Sequence, residues 1–169
     1  QMKKQIRLYN IILPIWLLIV LPQVWLIVLP ANLIIDGLVL LLTLCWMKHG
    51  QKAAVLGQVW WKIWLLGFAA DFVGVAFMIL GMLPCWFWPS SPFGRFWENT
   101  VGHAMHNAFR SPGAFLWTLA AVLLAGVFIY FFDRKALRSC PLLTAEQGQK
   151  LALSMALFTM PWFFFWPVY

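Results

Sequence analysis

Apolar residues run through this chain in long blocks, parted by short segments that hold much of its Lys, Arg, Asn, Ser and His. Crossing the ~30 Å hydrocarbon core of a bilayer takes about 20 apolar residues in a helix. The blocks predict five spans, at about 8–29, 33–47, 59–83, 113–132 and 147–167. Pro14 and Pro22 lie inside the first and predict a kinked helix, because proline removes a backbone donor and crowds the preceding turn. Pro30-Ala31-Asn32 predicts a tight turn into the second block, which is short for a full crossing. Lys3, Lys4 and Arg7 give the first block the look of a secretion signal. Its length, Trp16, Trp25 and the lack of a small-x-small site instead predict a retained span. Thr144-Ala145-Glu146-Gln147 has the spacing of a capping box and opens the fifth span.

The longest connector, 84–112, carries its own periodicity. Phe93, Trp97, Val101, Ala104 and Ala108 fall on one helical face, and Arg95, Asn99, Gly102, His103 and His106 on the other. This predicts an amphipathic helix lying at the outer surface. The expected fold is an all-α integral membrane protein, one polytopic domain over 2–169, with five transmembrane helices and one external interfacial helix.

Composition narrows the partners. The chain is 63% hydrophobic and 10% charged, against roughly 25% charged in a soluble domain. Five spans leave only short connectors and no separate catalytic domain. A net charge of +7 would suit a phosphate-binding surface, but the cations cluster at the ends of apolar blocks, which argues for topology and against nucleic acid. Lys3, Lys4, Arg7, Lys48, Lys52, Lys62, Arg134, Lys135, Arg138 and Lys150 fall on one side, ten in all, and Arg95 and Arg110, two, on the other. Cytoplasmic loops collect Lys and Arg, so the N-terminus is expected in the cytoplasm and the C-terminus outside a plasma membrane. Cys45, Cys85 and Cys140 follow no metal spacing, and this topology sets Cys85 opposite the other two.

Asp71 is the first candidate for chemistry, since it falls near the middle of the third span. An acid there costs about 2.5–3.5 kcal/mol on insertion scales and normally faces protein or water. Gly67, Gly74 and Gly81 recur every seven residues on the same stripe, as in helices that approach one another closely. Ala114, Thr118, Ala121 and Ala125 in the fourth span and Gly148, Ala152, Ala156 and Thr159 in the fifth offer complementary small faces. Asp71, Thr159 and Thr118 are therefore the candidate ligand or ion pathway, with Thr159 at the depth of Asp71 and Pro161 beside it. The competing reading is a protonated Asp71 that only holds helices together. Lys62, nine residues from Asp71, points to the opposite side of its helix. Asp36 is read as an acid near a helix N-terminus, where the macrodipole favours it.

The connector offers a second candidate in its polar face of Arg95, Asn99, His103 and His106. The two histidines, with Glu98 nearby, lack the third and fourth ligands of a zinc site, and no metal is expected. No protease or haem signature is found, so neither catalytic residues nor a cofactor are assigned and an enzyme is the less favoured class. In size, span count and tryptophan content the chain resembles the tryptophan-rich sensory proteins, a family of small five-helix membrane proteins. It has no Trp-x-Pro-Pro segment, and no functional residue carries over. The expected function is a small channel or transporter for a small solute or ion, with Asp71 at the midplane. The alternative is a non-catalytic accessory or lipid-interacting subunit of a larger membrane complex. Either would work in the lipid bilayer as a homo-oligomer or within a larger assembly.

Reporter fusions test the topology. A reporter after Tyr169 should be active only outside the cell, and one between Arg138 and Thr144 only in the cytoplasm. A C-terminal reporter active only in the cytoplasm overturns the five-span count.

Overall fold

The computed structural model describes residues 22–167, and every regular element among them is helical. The order is α1 (Pro22–Trp46), α2 (Lys52–Leu80), α3 (Leu83–Phe87), α4 (Pro92–Thr100), a 3₁₀ turn (Ala108–Arg110), α5 (Pro112–Leu137), α6 (Ala145–Thr159) and a second 3₁₀ turn (Trp162–Phe165). Among the described residues three stretches are long and apolar enough to cross a membrane: Leu26–Trp46, Lys52–Phe87 and Pro112–Leu137. Their ends follow local chemistry. Ser111 caps α5 by accepting from the Ala114 amide, with Pro112 in the first turn where its missing N–H costs nothing. Thr144 and Gln147 form the reciprocal capping box that starts α6. One turn later Lys150 Nζ lies 2.7 Å from Glu146 Oε1, and this contact holds the Glu146 carboxyl below its usual range.

α1, α2, α5 and α6 stand in a ring, each packed on its two neighbours. All four contacts are antiparallel. Gly74 of α2 lies against Ala121 and Ala125, and Gly81 against Trp117, so α5 descends as α2 rises. Gly126 meets Ala156 and Gly148 meets Leu137 across α5 and α6. Thr43 of α1 closes the ring on Ser154 of α6 with a 2.6 Å hydroxyl contact. Because the Thr43 hydroxyl proton goes to Val39 O at 2.8 Å, Ser154 is the donor between the helices. Leu40, Leu44, Val55, Val59, Ile63, Leu137, Leu151 and Met155 fill the ring toward the Trp46 end, and Met78, Val122, Met160 and Phe164 toward the other.

Half-buried indoles do much of the joining, since a Trp N–H turned away from water needs an acceptor. Trp60 Nε1 donates to Leu33 O (2.7 Å) and Trp64 Nε1 to Leu29 O (3.1 Å), which ties α2 to α1. Trp117 donates to Phe77 O (3.2 Å) and stacks on the Phe77 ring at 4.5 Å. Trp97 donates to Gly81 O (2.7 Å) and meets Trp117 edge-on, which fastens α4 over the end of the ring.

Several expectations are corrected. Pro30, Ala31 and Asn32 form no turn, because α1 runs through them with Pro30 inside it. Pro30 removes the donor to the Leu26 carbonyl, while Trp64 and Trp60 bond to the carbonyls of Leu29 and Leu33 and hold α1 against α2 before and after it. The 8–29 and 33–47 pair is thus one helix from Pro22 onward, and Pro14 lies outside the described residues. The fifth span stops at Thr159 rather than 167. Met160, held extended by the following Pro161, ends it. The connector helix stops at Thr100, short of the expected Phe109. Gly102 is buried against the Glu98 backbone, where a Cβ would stand 2.9 Å from it, and the chain turns back there toward α5.

The α2–α5 contact makes a sharp stability prediction. A Cβ on Gly74 would sit 3.1 Å from Ala125 Cβ and 3.3 Å from Ala121 O, whereas one on Gly57 would meet nothing within 4 Å. Gly74→Leu should therefore destabilise the detergent-purified protein by about 1–3 kcal/mol, while Gly57→Ala should leave the melting temperature unchanged or slightly raised. Equal melting temperatures for Gly74→Leu and wild type would show that the two helices do not touch there.

Candidate functional site

Asp71 lies near the middle of the Lys52–Phe87 apolar stretch, and one of its oxygens is buried without a hydrogen-bond partner. It borders a cavity of about 200 Å³ that Asn32, Asp36, Gly67, Ile129, Thr159 and Trp162 also line. That is room for several water molecules, and the lining has the polar partners water needs. Gly67 makes the space. It stands one turn before Asp71 on the same face, and a Cβ placed there would be 3.8 Å from Asp36 Oδ2, with no other neighbour within 4 Å. A side chain at that point would fill the gap between the two acids.

Asp36 enters the cavity because α1 is continuous. With a turn at Pro30 it would stand in the first turns of a helix; in the structure it is 14 residues along α1 and buried, so the helix-terminus reading is withdrawn. Thr159 reaches the cavity as the last residue of α6. Its hydroxyl donates to Met155 O at 2.8 Å, which leaves its oxygen free to accept. The end of α6 also brings unpaired carbonyls and the negative end of a helix dipole to this depth. Trp162 Nε1 takes one of them, Leu157 O, at 3.1 Å. Two carboxyls, a hydroxyl, an amide side chain and a helix C-terminus make an acceptor-rich cavity suited to a cation or a proton.

Thr118 stands apart from this group. Its buried hydroxyl lies 3.5 Å from Ala104 O under the connector, and it does not line the cavity. Gly74 and Gly81 likewise lie at helix contacts, on Ala125 and Trp117, and only Gly67 of the stripe borders the cavity. Arg95 and Asn99 are exposed on α4, but His103 and His106 fall in the turns after it, His103 half-buried and His106 exposed. The four residues therefore do not share one helical face. No group of three His, Cys, Asp or Glu among the described residues could hold a metal ion.

Asp133 is the residue that sequence reading missed. Asp133-Arg134-Lys135 looks like the polar stop of a span, yet Asp133 is 0% exposed and both its carboxyl oxygens lack a hydrogen-bond partner. It sits inside α5, one turn before the end, on the face that carries Val122 and Ile129. The available signal was spacing: Asp133 follows Ile129 and precedes Leu137 by four residues each, in register with the buried stripe.

The chain matches no protein family, no curated protein and no solved structure.

Access to the cavity can be measured by thiol labelling. With Cys45, Cys85 and Cys140 replaced by Ala, Thr159→Cys should react with a small cationic methanethiosulfonate reagent. Adding Gly67→Leu should slow that reaction at least tenfold with little loss of melting temperature. Labelling at the same rate in both proteins would place the cavity elsewhere.

Proposed function

We propose that the protein is a small membrane channel or transporter for a small ion, with Asp71 at the centre of its pathway. The observation that carries this reading is the mid-depth cavity in which Asp71, Asp36 and Thr159 meet the broken end of α6. Interrupted helices that turn carbonyls and a negative dipole end toward a cavity are a recurring way to hold Na⁺ or H⁺ inside a membrane. Exposed Leu26, Ile34, Leu42, Leu65, Phe131 and Leu157 cover the outside of the ring with apolar surface that a bilayer would solvate. Lys48, Lys52, Arg134, Lys135, Arg138 and Lys150 lie at or near the ends joined by the α1–α2 and α5–α6 connectors, which supports a cytoplasmic placement of that end and an external one of the end at Gly81. The plasma membrane and an oligomeric state belong to the same proposal.

A second reading, a lipid-interacting or accessory subunit, draws on a different feature. An outward cleft of about 570 Å³ between α1 and α6 is lined by Val39, Leu42, Trp46, Leu153 and Leu157, with Lys150 at its edge. Its shape and lining suit a phospholipid acyl chain.

Proteoliposomes decide between the two. Wild-type protein should dissipate an imposed Na⁺, K⁺ or H⁺ gradient faster than protein-free vesicles, as read by a potential-sensitive dye. Asp71→Asn keeps the shape and loses the charge, and should reduce that rate at least tenfold while the protein stays folded. Rates equal to protein-free vesicles for all three gradients, or unchanged in Asp71→Asn, favour the lipid-interacting subunit.

A further inference from the structure

Three helices of the ring each place one acid in its interior: Asp36 on α1, Asp71 on α2 and Asp133 on α5. The helix registers give their relative depths. Gly74 meets Ala125. Asp133 lies eight residues beyond Ala125, about 12 Å, and Asp71 three before Gly74, about 4.5 Å toward the same end. Asp133 is thus about 7 to 8 Å closer to the cytoplasmic end than Asp71. Asp36 faces Gly67, one turn below Asp71, which sets it near the depth of Asp133 on the opposite helix of the ring.

Nothing in the packing accounts for Asp133. A purely structural acid in a dry core would be expected to hydrogen-bond a hydroxyl or a backbone carbonyl, but neither oxygen does so, although the residue is fully buried. The neighbouring cations are engaged elsewhere. Lys62 Nζ lies 3.5 Å from Ser139 Oγ and over the Trp61 ring, the Arg134 guanidinium lies over Tyr130, and Lys150 pairs with Glu146. Arg134 Nε is itself buried without a hydrogen-bond partner. The three acids are also too dispersed to cage a metal ion. Separated carboxyls on three facing helices, two of them with oxygens that lack a partner, suit a particle that moves from acid to acid.

We propose that the ring interior is a proton path in which Asp133, Asp36 and Asp71 hand protons between the cytoplasmic end of the bundle and the cavity. This rests on the channel or transporter reading and names the proton as the species carried. Protonated Asp133 gives its proton to ionised Asp36 through an intervening water. The O–H bond on Asp133 breaks and its electron pair stays on that oxygen, while an O–H bond forms on Asp36. The same exchange carries the proton to Asp71, which releases it to water in the cavity. Asp133 is then reprotonated by water at the Arg138–Leu143 connector, and the total charge of each exchanging pair is unchanged throughout.

The test is proton flux into proteoliposomes holding a trapped pH-sensitive dye. Asp133→Asn lies outside the cavity and should reduce proton flux at least tenfold, and Asp133→Glu should restore a substantial part of it. Asp36→Asn should behave as Asp133→Asn does. Proton flux in wild type that Asp133→Asn leaves unchanged overturns the relay. Asp71-dependent Na⁺ or K⁺ flux without any proton flux also overturns the relay and leaves the channel reading standing, whereas no flux of any ion removes both. If the Asn variants fail to fold, wild-type flux in D₂O gives the answer: it should be slower than in H₂O, and an equal rate overturns the proposal.

Discussion

The close approach of α2 and α5 is the constraint on which the rest of this structure depends. Gly74 lets Ala121 and Ala125 come within contact of the α2 backbone, and Gly81 receives the Trp117 indole one helical repeat away. Two such contacts fix both the separation and the register of the antiparallel pair. In an apolar surrounding there is little hydrophobic gain in joining one helix to another, so close packing and interhelical hydrogen bonds must supply the association. Register then determines depth, and depth determines which polar side chains meet.

The same constraint explains the use of tryptophan. Trp60, Trp64, Trp97 and Trp117 each donate to a main-chain carbonyl on another helix or turn. Each fills space with a large ring and consumes one donor at a fixed point. Two of these bonds flank Pro30 and hold α1 against α2 on both sides of it. At the far end of the ring Trp97, Trp117 and Phe77 form one aromatic stack under α4. The connector therefore stands on the bundle as a lid of fixed position.

Against this rigid frame, the acids are unusual. Asp36, Asp71 and Asp133 come from three helices, and no ion pair joins any of them among the described residues. Thr43, by contrast, is buried with its hydrogen bonds made to Val39 and Ser154. Among the described residues the buried Thr43 and Thr118 hydroxyls have partners, whereas one oxygen of Asp71 and both of Asp133 have none. Asp36 and Asp71 line the cavity beside the end of α6, where Met160 and Pro161 break the helix, and Asp133 lies outside it.

Residue order alone determined the helical class, the apolar stretches long enough to cross a membrane, the capping box at Thr144, the small-residue stripe through Gly74 and Asp71 as a mid-helix acid. Each of these is a local property, set by hydropathy, periodicity of 3.6 residues or the geometry of one helix end. Tertiary structure decided the path of the chain through Pro30, the stop at Gly102, the entry of Asp36 into the cavity and the burial of Asp133. All four depend on what lies opposite in space. Trp60 and Trp64 of α2 hold α1 on both sides of Pro30, Cys85 of α3 lies where a Cβ on Gly102 would stand, and an acid beside Arg134 and Lys135 looks solvated until the facing helices close over it. The separation of Thr118 from Asp71 has the same origin: both lie on small-residue faces, but the antiparallel register sets Ala121 and Ala125, not Thr118, beside Gly74.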